Sequence, residues 1–211
     1  MNSKAFKLGV LASGRGTNLQ AIIDHIENGR LTAEIAVILS DRKNAQALER
    51  GRKHGIEAQF VDPKAFADKR AYNAELVRIL QAKTVDLVCL AGYMRIVREP
   101  FFESFPNRII NIHPSLLPAF PGLDVQQKAI DYGVRFSGCT VHYVNEEVDG
   151  GPIIMQAVVP VEDGDTAETL SARILEKEHE IYPRAIQQIV DNRLRIENRR
   201  VVHAKSPERQ P

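Results

Sequence analysis

Cysteine is scarce in this sequence, neither sign of charge prevails, and no apolar run is long. The only two cysteines, Cys89 in DLVCLAG and Cys139 in SGCTVHYV, sit in strand-like apolar runs. They read as buried free thiols in a reducing cytoplasm and exclude a disulfide framework. Lys and Arg number 28 against 27 Asp and Glu, a formal net charge of +1, so no global field draws the chain to nucleic acid or an anionic membrane. An anionic ligand must be caught by a local site. No stretch approaches the ~20 apolar residues of a membrane span. The N-terminal MNSKAFKLGVLASGRG places lysines before LGVLA, but that segment is too short for a secretory signal and a glycine-rich turn follows at once. Internal repeats, an interdomain linker and a close metal-ligand pair such as H-x-x-x-H are also missing, which argues for one domain without a metal.

What is there is the alternation of an α/β protein. At 211 residues, 44% hydrophobic and 26% charged, the chain can bury a full core. FKLGVLA, AEIAVILS, IEAQFV, VDLVCLAG and RIINI recur as apolar runs, with helix-like stretches between the first four. Such βαβ units predict a mostly parallel, doubly wound Rossmann-like sheet covered on both faces. Leu19, Ile22, Ile23 and Ile26 form one helical stripe, and Tyr72, Leu76, Ile79 and Leu80 another. Beyond residue 113 the texture changes to HPSLLPAFPG, a helix near 124–132, and two strands, CTVHYV and PIIMQAVVPV. The short link NEEVDGG predicts that these two run antiparallel, extending the sheet. A last helix is expected over about 166–190, with Asp165 as N-cap, Glu168 at the capping-box position and Pro183 kinking or dividing it. HAKSPERQP, from about residue 203, reads as a frayed tail.

Three segments carry chemistry. In RIINIHPSLLP, strand alternation sends Asn111 and His113 to one face and Ile112 to the other, while Pro114 and Pro118 stiffen the exit. A bland strand end meeting water accounts for the same residues. The turn ASGRGTNLQAI links the first strand to the first helix, where backbone N–H groups and the helix dipole suit an anion. Gly14 and Gly16 permit the turn, and Thr17 or Asn18 can cap the helix. A monophosphate fits best. A dinucleotide fingerprint would want glycine at Leu19, although Asp41 after the second strand is compatible with it; the Gly-Lys-Ser/Thr of a P-loop is absent; and a capped turn without ligand stays open. In YVNEEVDGGPIIMQ, Asp149 sits in an acidic loop whose carboxylate can approach the strand end bearing His113 and orient its ring.

SGRGTNLQAI, LAGYMRIV, NIHPSLLP and VDGGPII, in that order over about residues 6–196, resemble the glycinamide ribonucleotide transformylases, or phosphoribosylglycinamide formyltransferases, which use 10-formyltetrahydrofolate in purine synthesis. The resemblance implies a catalytic trio of Asn111, His113 and Asp149. It implies an acceptor site at Gly16, Thr17 and Asn18 for the ribonucleotide 5′-phosphate, with Glu178 on the ribose side. It places the folate against Met94, Arg95, Ile96 and Val97, with the loop of Asn145, Glu146, Glu147, Val148 and Asp149 closing over the pterin beside Asn111. Lys69 followed by Arg70 stands where relatives commonly carry the cation for the folate's glutamate tail, and Leu175 replaces a polar residue three before the glutamate. The expected partners are small molecules, with a monomer or homodimer as the assembly. His142 reads as a structural histidine, His25, His54 and His203 as solvent-facing, and His179 either as support for the substrate site or as a helix-surface residue. Rival readings are a formyltetrahydrofolate hydrolase, which usually carries an extra N-terminal regulatory domain, a methionyl-tRNA formyltransferase, which usually adds a C-terminal tRNA-binding domain, and a nucleotide-binding Rossmann-like module without chemistry.

Overall fold

The computed structural model describes residues 5–203. Its centre is a seven-stranded sheet in the order β3-β2-β1-β4-β5-β6-β7. The strands are β1 (Lys7–Leu11), β2 (Glu34–Ser40), β3 (Ala58–Phe60), β4 (Leu87–Leu90), β5 (Ile109–His113), β6 (Phe136–Tyr143) and β7 (Ile153–Pro160). The first five pair in parallel, and β6 and β7 run antiparallel to their neighbours. The helices are α1 (Thr17–Glu27), α2 (Gln46–Lys53), α3 (Lys69–Ala82), the single turn α4 (Phe101–Ser104), α5 (Val125–Tyr132) and α6 (Ala167–Val190).

Alternation along each strand sorts the core into two layers. Leu87, Cys89, Ile110 and Ile112 pack with Leu19 and Ile22 of α1 and Ile174, Ile181 and Ile186 of α6. Val88, Leu90 and Ile109 pack with Leu76, Val77 and Leu80 of α3 and Phe101 of α4 on the other face. A sheet buried on both faces accounts for strands that read as unbroken apolar runs. Burial raises both thiols, that of Cys139 to about 12, leaving them inert hydrophobes.

Two expectations about the C-terminal part need correction. Thr166, not Asp165, is the N-cap of α6: its hydroxyl accepts from the Thr169 amide and the Thr169 hydroxyl accepts from the Thr166 amide, closing the capping box at Thr169 rather than Glu168. Asp165 is occupied elsewhere, because Arg173 grips both its carboxylate oxygens at 2.8 and 3.0 Å, and that guanidinium holds its carboxyl well below the usual range. Pro183 does not divide α6, which runs unbroken through it. The missing N–H forfeits one intrahelical bond, but Ile181, Tyr182, Ala185 and Ile186 are buried on either side of it and keep the helix seated. A hairpin that the sequence reading lacked precedes the expected tail. Leu194–Glu197 (β8) and Arg200–His203 (β9) form an antiparallel hairpin that ends on exposed His203; residues 204–211 lie outside the described residues.

Tyr182 ties α6 to the sheet where the site begins. Its fully buried hydroxyl donates to the Leu90 carbonyl at 2.9 Å. Tyr182→Phe leaves that carbonyl short of a donor and is expected to cost about 1–2 kcal/mol, read as a lower urea midpoint with unchanged slope.

Candidate active site

In the strand order, β1 lies between β2 and β4, so the chain leaves β1 in one direction along the sheet and later returns to its other side. The connections after β1 and β4 therefore diverge above their carboxyl ends and open a crevice at the topological switch point. A cleft of about 670 Å³ occupies it, walled by Ser13–Asn18 after β1, Leu90–Val97 after β4, Asn111–Pro114 at the end of β5 and Val144–Asp149 after β6.

The register of β6 against β5 sets the chemistry. Asn111 lies opposite His142, and His113 opposite Thr140. His142 Nδ1 donates to the Tyr143 carbonyl at 2.8 Å, which leaves Nε2 as the acceptor facing the Asn111 amide nitrogen at 3.3 Å. Burial holds the His142 pKa down against the opposing pull of the Tyr143 carbonyl and Asp149, so this ring is neutral and acts as an acceptor. An amide nitrogen has two hydrogens, and only one of Asn111's is engaged by the ring.

The HPSLLPAFPG segment folds back over His113. Its carbonyl at Phe120 accepts from His113 Nε2 at 3.0 Å and from Ser115 Oγ at 3.1 Å. Thr140 fastens the segment to the sheet, its hydroxyl donating to the Ser115 carbonyl at 2.7 Å and accepting from the Leu117 amide at 3.1 Å and from Gln156 at 3.0 Å. Asp149 arrives from the opposite side in a left-handed conformation, φ 53°. The glycine at 151 makes this course feasible, since a Cβ there would stand 1.8 Å from the Tyr143 carbonyl oxygen. One Asp149 oxygen accepts from the Gly122 amide at 2.9 Å and lies 3.5 Å from His113 Nδ1. The other lies 3.8 Å from His142 Nε2. Asn111, His113 and Asp149 thus converge on one end of the cleft, and His142 joins them, although its sequence read as a structural strand residue.

On the β1 side, Gly16 holds a left-handed conformation and is itself the N-cap of α1; neither Thr17 nor Asn18 caps the helix. Asn18 instead donates to Glu178 Oε2 at 2.7 Å, while its own buried Oδ1 has no protein partner. Gly16, Thr17, Asn18, Glu178 and Leu175 all line the cleft. On the β4 side, the Met94 amide donates to Ser13 Oγ at 2.8 Å, and Arg95 reaches Asp41 at 3.0 Å while its guanidinium lies 5.5 Å from the Tyr72 ring centre. Exposed Met94 and Ile96 and buried Val97 complete this wall. The acidic loop is tied down by Arg98, which donates to the Glu146 carbonyl at 2.7 Å, and by Arg199, 3.6 Å from Glu147. Asn145, Glu146, Glu147 and Val148 border the same cleft; Lys69 does not, because α3 starts there under an Asp68 cap and its side chain is exposed outside the lining.

Of the other histidines, His54 is half-buried against Glu27 at 2.6 Å rather than free in solvent, and half-buried His25 faces the Ala21 carbonyl at 2.8 Å. His179 is likewise half-buried, with its Nε2 unpartnered. Among the described residues no group of three or more His, Cys, Asp or Glu is placed to hold a metal, and no helix is long and apolar enough to cross a membrane.

A switch-point cleft with this strand-end constellation defines a Rossmann-like group-transfer enzyme. Residues 6–186 match the family model described as formyl transferase, and the chain belongs to that family. It is 41% identical over 187 residues to the phosphoribosylglycinamide formyltransferase of Escherichia coli (strain K12), covering 89% of this chain and 88% of that one. The crystal structure of glycinamide ribonucleotide transformylase 1 from Symbiobacterium toebii superposes with a TM-score of 0.94 at 55% identity over 95% of each chain. A formyltetrahydrofolate deformylase from Pseudomonas syringae superposes at 0.87 and 30% identity, with 96% of this chain covering 67% of that one. The chain is also 47% identical over 191 residues to the trifunctional purine biosynthetic protein adenosine-3 of Drosophila pseudoobscura; this covers 90% of the chain but spans only 14% of that protein's length.

Burial raises the Glu178 carboxyl above its ordinary range, with the Asn18 amide opposing. A carboxyl so raised binds its proton more tightly folded than unfolded, so stability falls as pH rises from the ordinary 4.5 through the folded value. Glu178→Gln is therefore expected to be more stable than the parent in urea at about pH 8, with the gap closing toward about pH 4.

Proposed function

We propose that this chain transfers the formyl group of 10-formyltetrahydrofolate to the amine of 5-phosphoribosylglycinamide, giving the formylated ribonucleotide and tetrahydrofolate in cytoplasmic purine synthesis, as a single formyltransferase domain. One observation carries the reading: the cleft has two differently built halves that meet at Asn111, His113 and Asp149. The glycine turn and first turn of α1 offer backbone N–H groups to a phosphate, and Glu178 offers a carboxylate to ribose hydroxyls. The opposite half, Met94–Val97 and the 145–149 loop, offers apolar walls and backbone groups to a flat heterocycle.

The chemistry follows from the placement. The acceptor amine attacks the formyl carbon, a C–N bond forms, and the carbonyl electron pair moves onto the formyl oxygen. The free N–H of Asn111 and the Nδ1–H of His113, whose Nε2 is held by the Phe120 carbonyl, stabilise that oxyanion. Asp149, on the imidazole's Nδ1 side, orients the ring and helps carry the proton lost by the amine to the departing folate nitrogen, whose bond to the formyl carbon then breaks. His142 serves as a positioning residue: as a neutral acceptor it fixes one amide hydrogen of Asn111 and so aims the other.

His113→Ala is expected to abolish turnover while leaving binding of the phosphorylated acceptor intact in calorimetry; unchanged turnover rejects the mechanism. Asn111→Ala is expected to lower kcat by roughly 100-fold or more. The likeness to a deformylase makes water the competing acceptor. Folate deformylation, followed by absorbance, is expected to depend on added phosphoribosylglycinamide, and equal rates without it would assign the chain as a hydrolase.

A further inference from the structure

The glycine turn does not hold its own shape. Gly14–Gly16 rests on α2, and the hydrogen bonds it receives from that helix all go to its carbonyl oxygens. The Ala47 amide, in the first turn of α2, donates to the Gly14 carbonyl at 3.1 Å. One helical turn further on, Arg50 Nε donates to the Arg15 carbonyl at 2.8 Å. Gly16 packs so closely there that a Cβ would stand 2.8 Å from both Cα and Cβ of Ala47.

In a planar trans peptide the C=O and the next N–H point in opposite directions. Two successive carbonyls drawn toward α2 therefore turn the N–H groups of Arg15 and Gly16 away from it, toward the cleft that both residues line. Neither N–H donates to any backbone carbonyl among the described residues. Arg50 is itself fixed: its Nη1 donates to Gln20 Oε1 at 3.0 Å, and Gln20 Nε2 is engaged by Asp24 at 2.8 Å and faces His54 Nε2 at 3.2 Å. His54 is in turn anchored on Glu27 at 2.6 Å. The half-buried guanidinium is thus a strut held at both ends.

We infer that Arg50 is a positioning residue for the acceptor's phosphate: by holding the Arg15 carbonyl from behind, it presents the Gly16 amide to the anion without touching the ligand. This rests on the acceptor reading given above. It predicts dependence on the geometry of Nε–H and not on positive charge alone, because a lysine at 50 places a methylene where Nε–H stands.

The test compares wild type, Arg50→Met and Arg50→Lys. Inorganic phosphate binding is measured by calorimetry, and steady-state constants are measured with phosphoribosylglycinamide and 10-formyltetrahydrofolate. Both variants are expected to weaken phosphate binding and raise the acceptor KM by roughly ten-fold, with kcat and the folate KM close to wild type. Full phosphate affinity in Arg50→Lys would show that charge alone suffices and overturn the proposal. A fall in kcat or a rise in folate KM equal to the acceptor effect would show a general structural role and overturn it too. Should Arg50→Met fail to fold, Arg50→Lys together with Gln20→Leu, which releases the far end of the strut, decides the matter by the same acceptor-specific shift. Because phosphate binding needs no turnover, a wild type that binds phosphate but transfers no formyl group would fault the proposed reaction and leave the strut to be judged on binding alone.

Discussion

The antiparallel seam between β5 and β6 is the constraint on which the rest depends. Five parallel strands deliver their following loops to one end of the sheet, and the antiparallel β6 passes that end beside His113 and runs back along β5. Reversal lets β6 run back beside β5 so that His142 stands opposite Asn111 and the following loop brings Asp149 over His113. One-residue slippage would turn His142 to the wrong face and break the amide contact. Thr140, opposite His113, also serves this register, since its hydroxyl uses its donor and both acceptor directions to fasten the proline-rich segment that covers the imidazole.

Two left-handed residues brace the imidazole at the same end. Asp149 and Phe120 are non-glycine residues with positive φ, and each supplies an oxygen to the His113 ring. Such conformations persist where surrounding contacts over-determine them. Gly122, Arg98 and the close passage of Gly151 against Tyr143 provide that determination for the acidic loop.

Local patterns made the strands, the two amphipathic helices and the Asn111/His113 pair legible, because alternation and helical spacing are properties of neighbouring residues. Features set by distant pairing were not. His142 alternates with apolar residues and looks structural until the register places it beside Asn111. Asp165 and Thr166 are both competent N-caps, and only the grip of Arg173 on Asp165 decides between them. Strands β8 and β9 are not legible because each spans only four residues, and the alternation of LRIE over so short a run does not separate a strand from a loop. Lys69 opens α3 under the Asp68 cap, outside the cleft lining, and its role rests on the resemblance alone.

The division of the cleft has an implication for how such enzymes diversify. In the proposed reaction the acceptor is met by the β1 turn, α1 and α6 and the donor by the β4 and β6 loops, all of which line the one cleft. Recipient preference is thereby separable from one-carbon chemistry. Grafting a different turn and its supporting helix face onto this scaffold should redirect the carbon to another nucleophile without rebuilding the machinery that releases it.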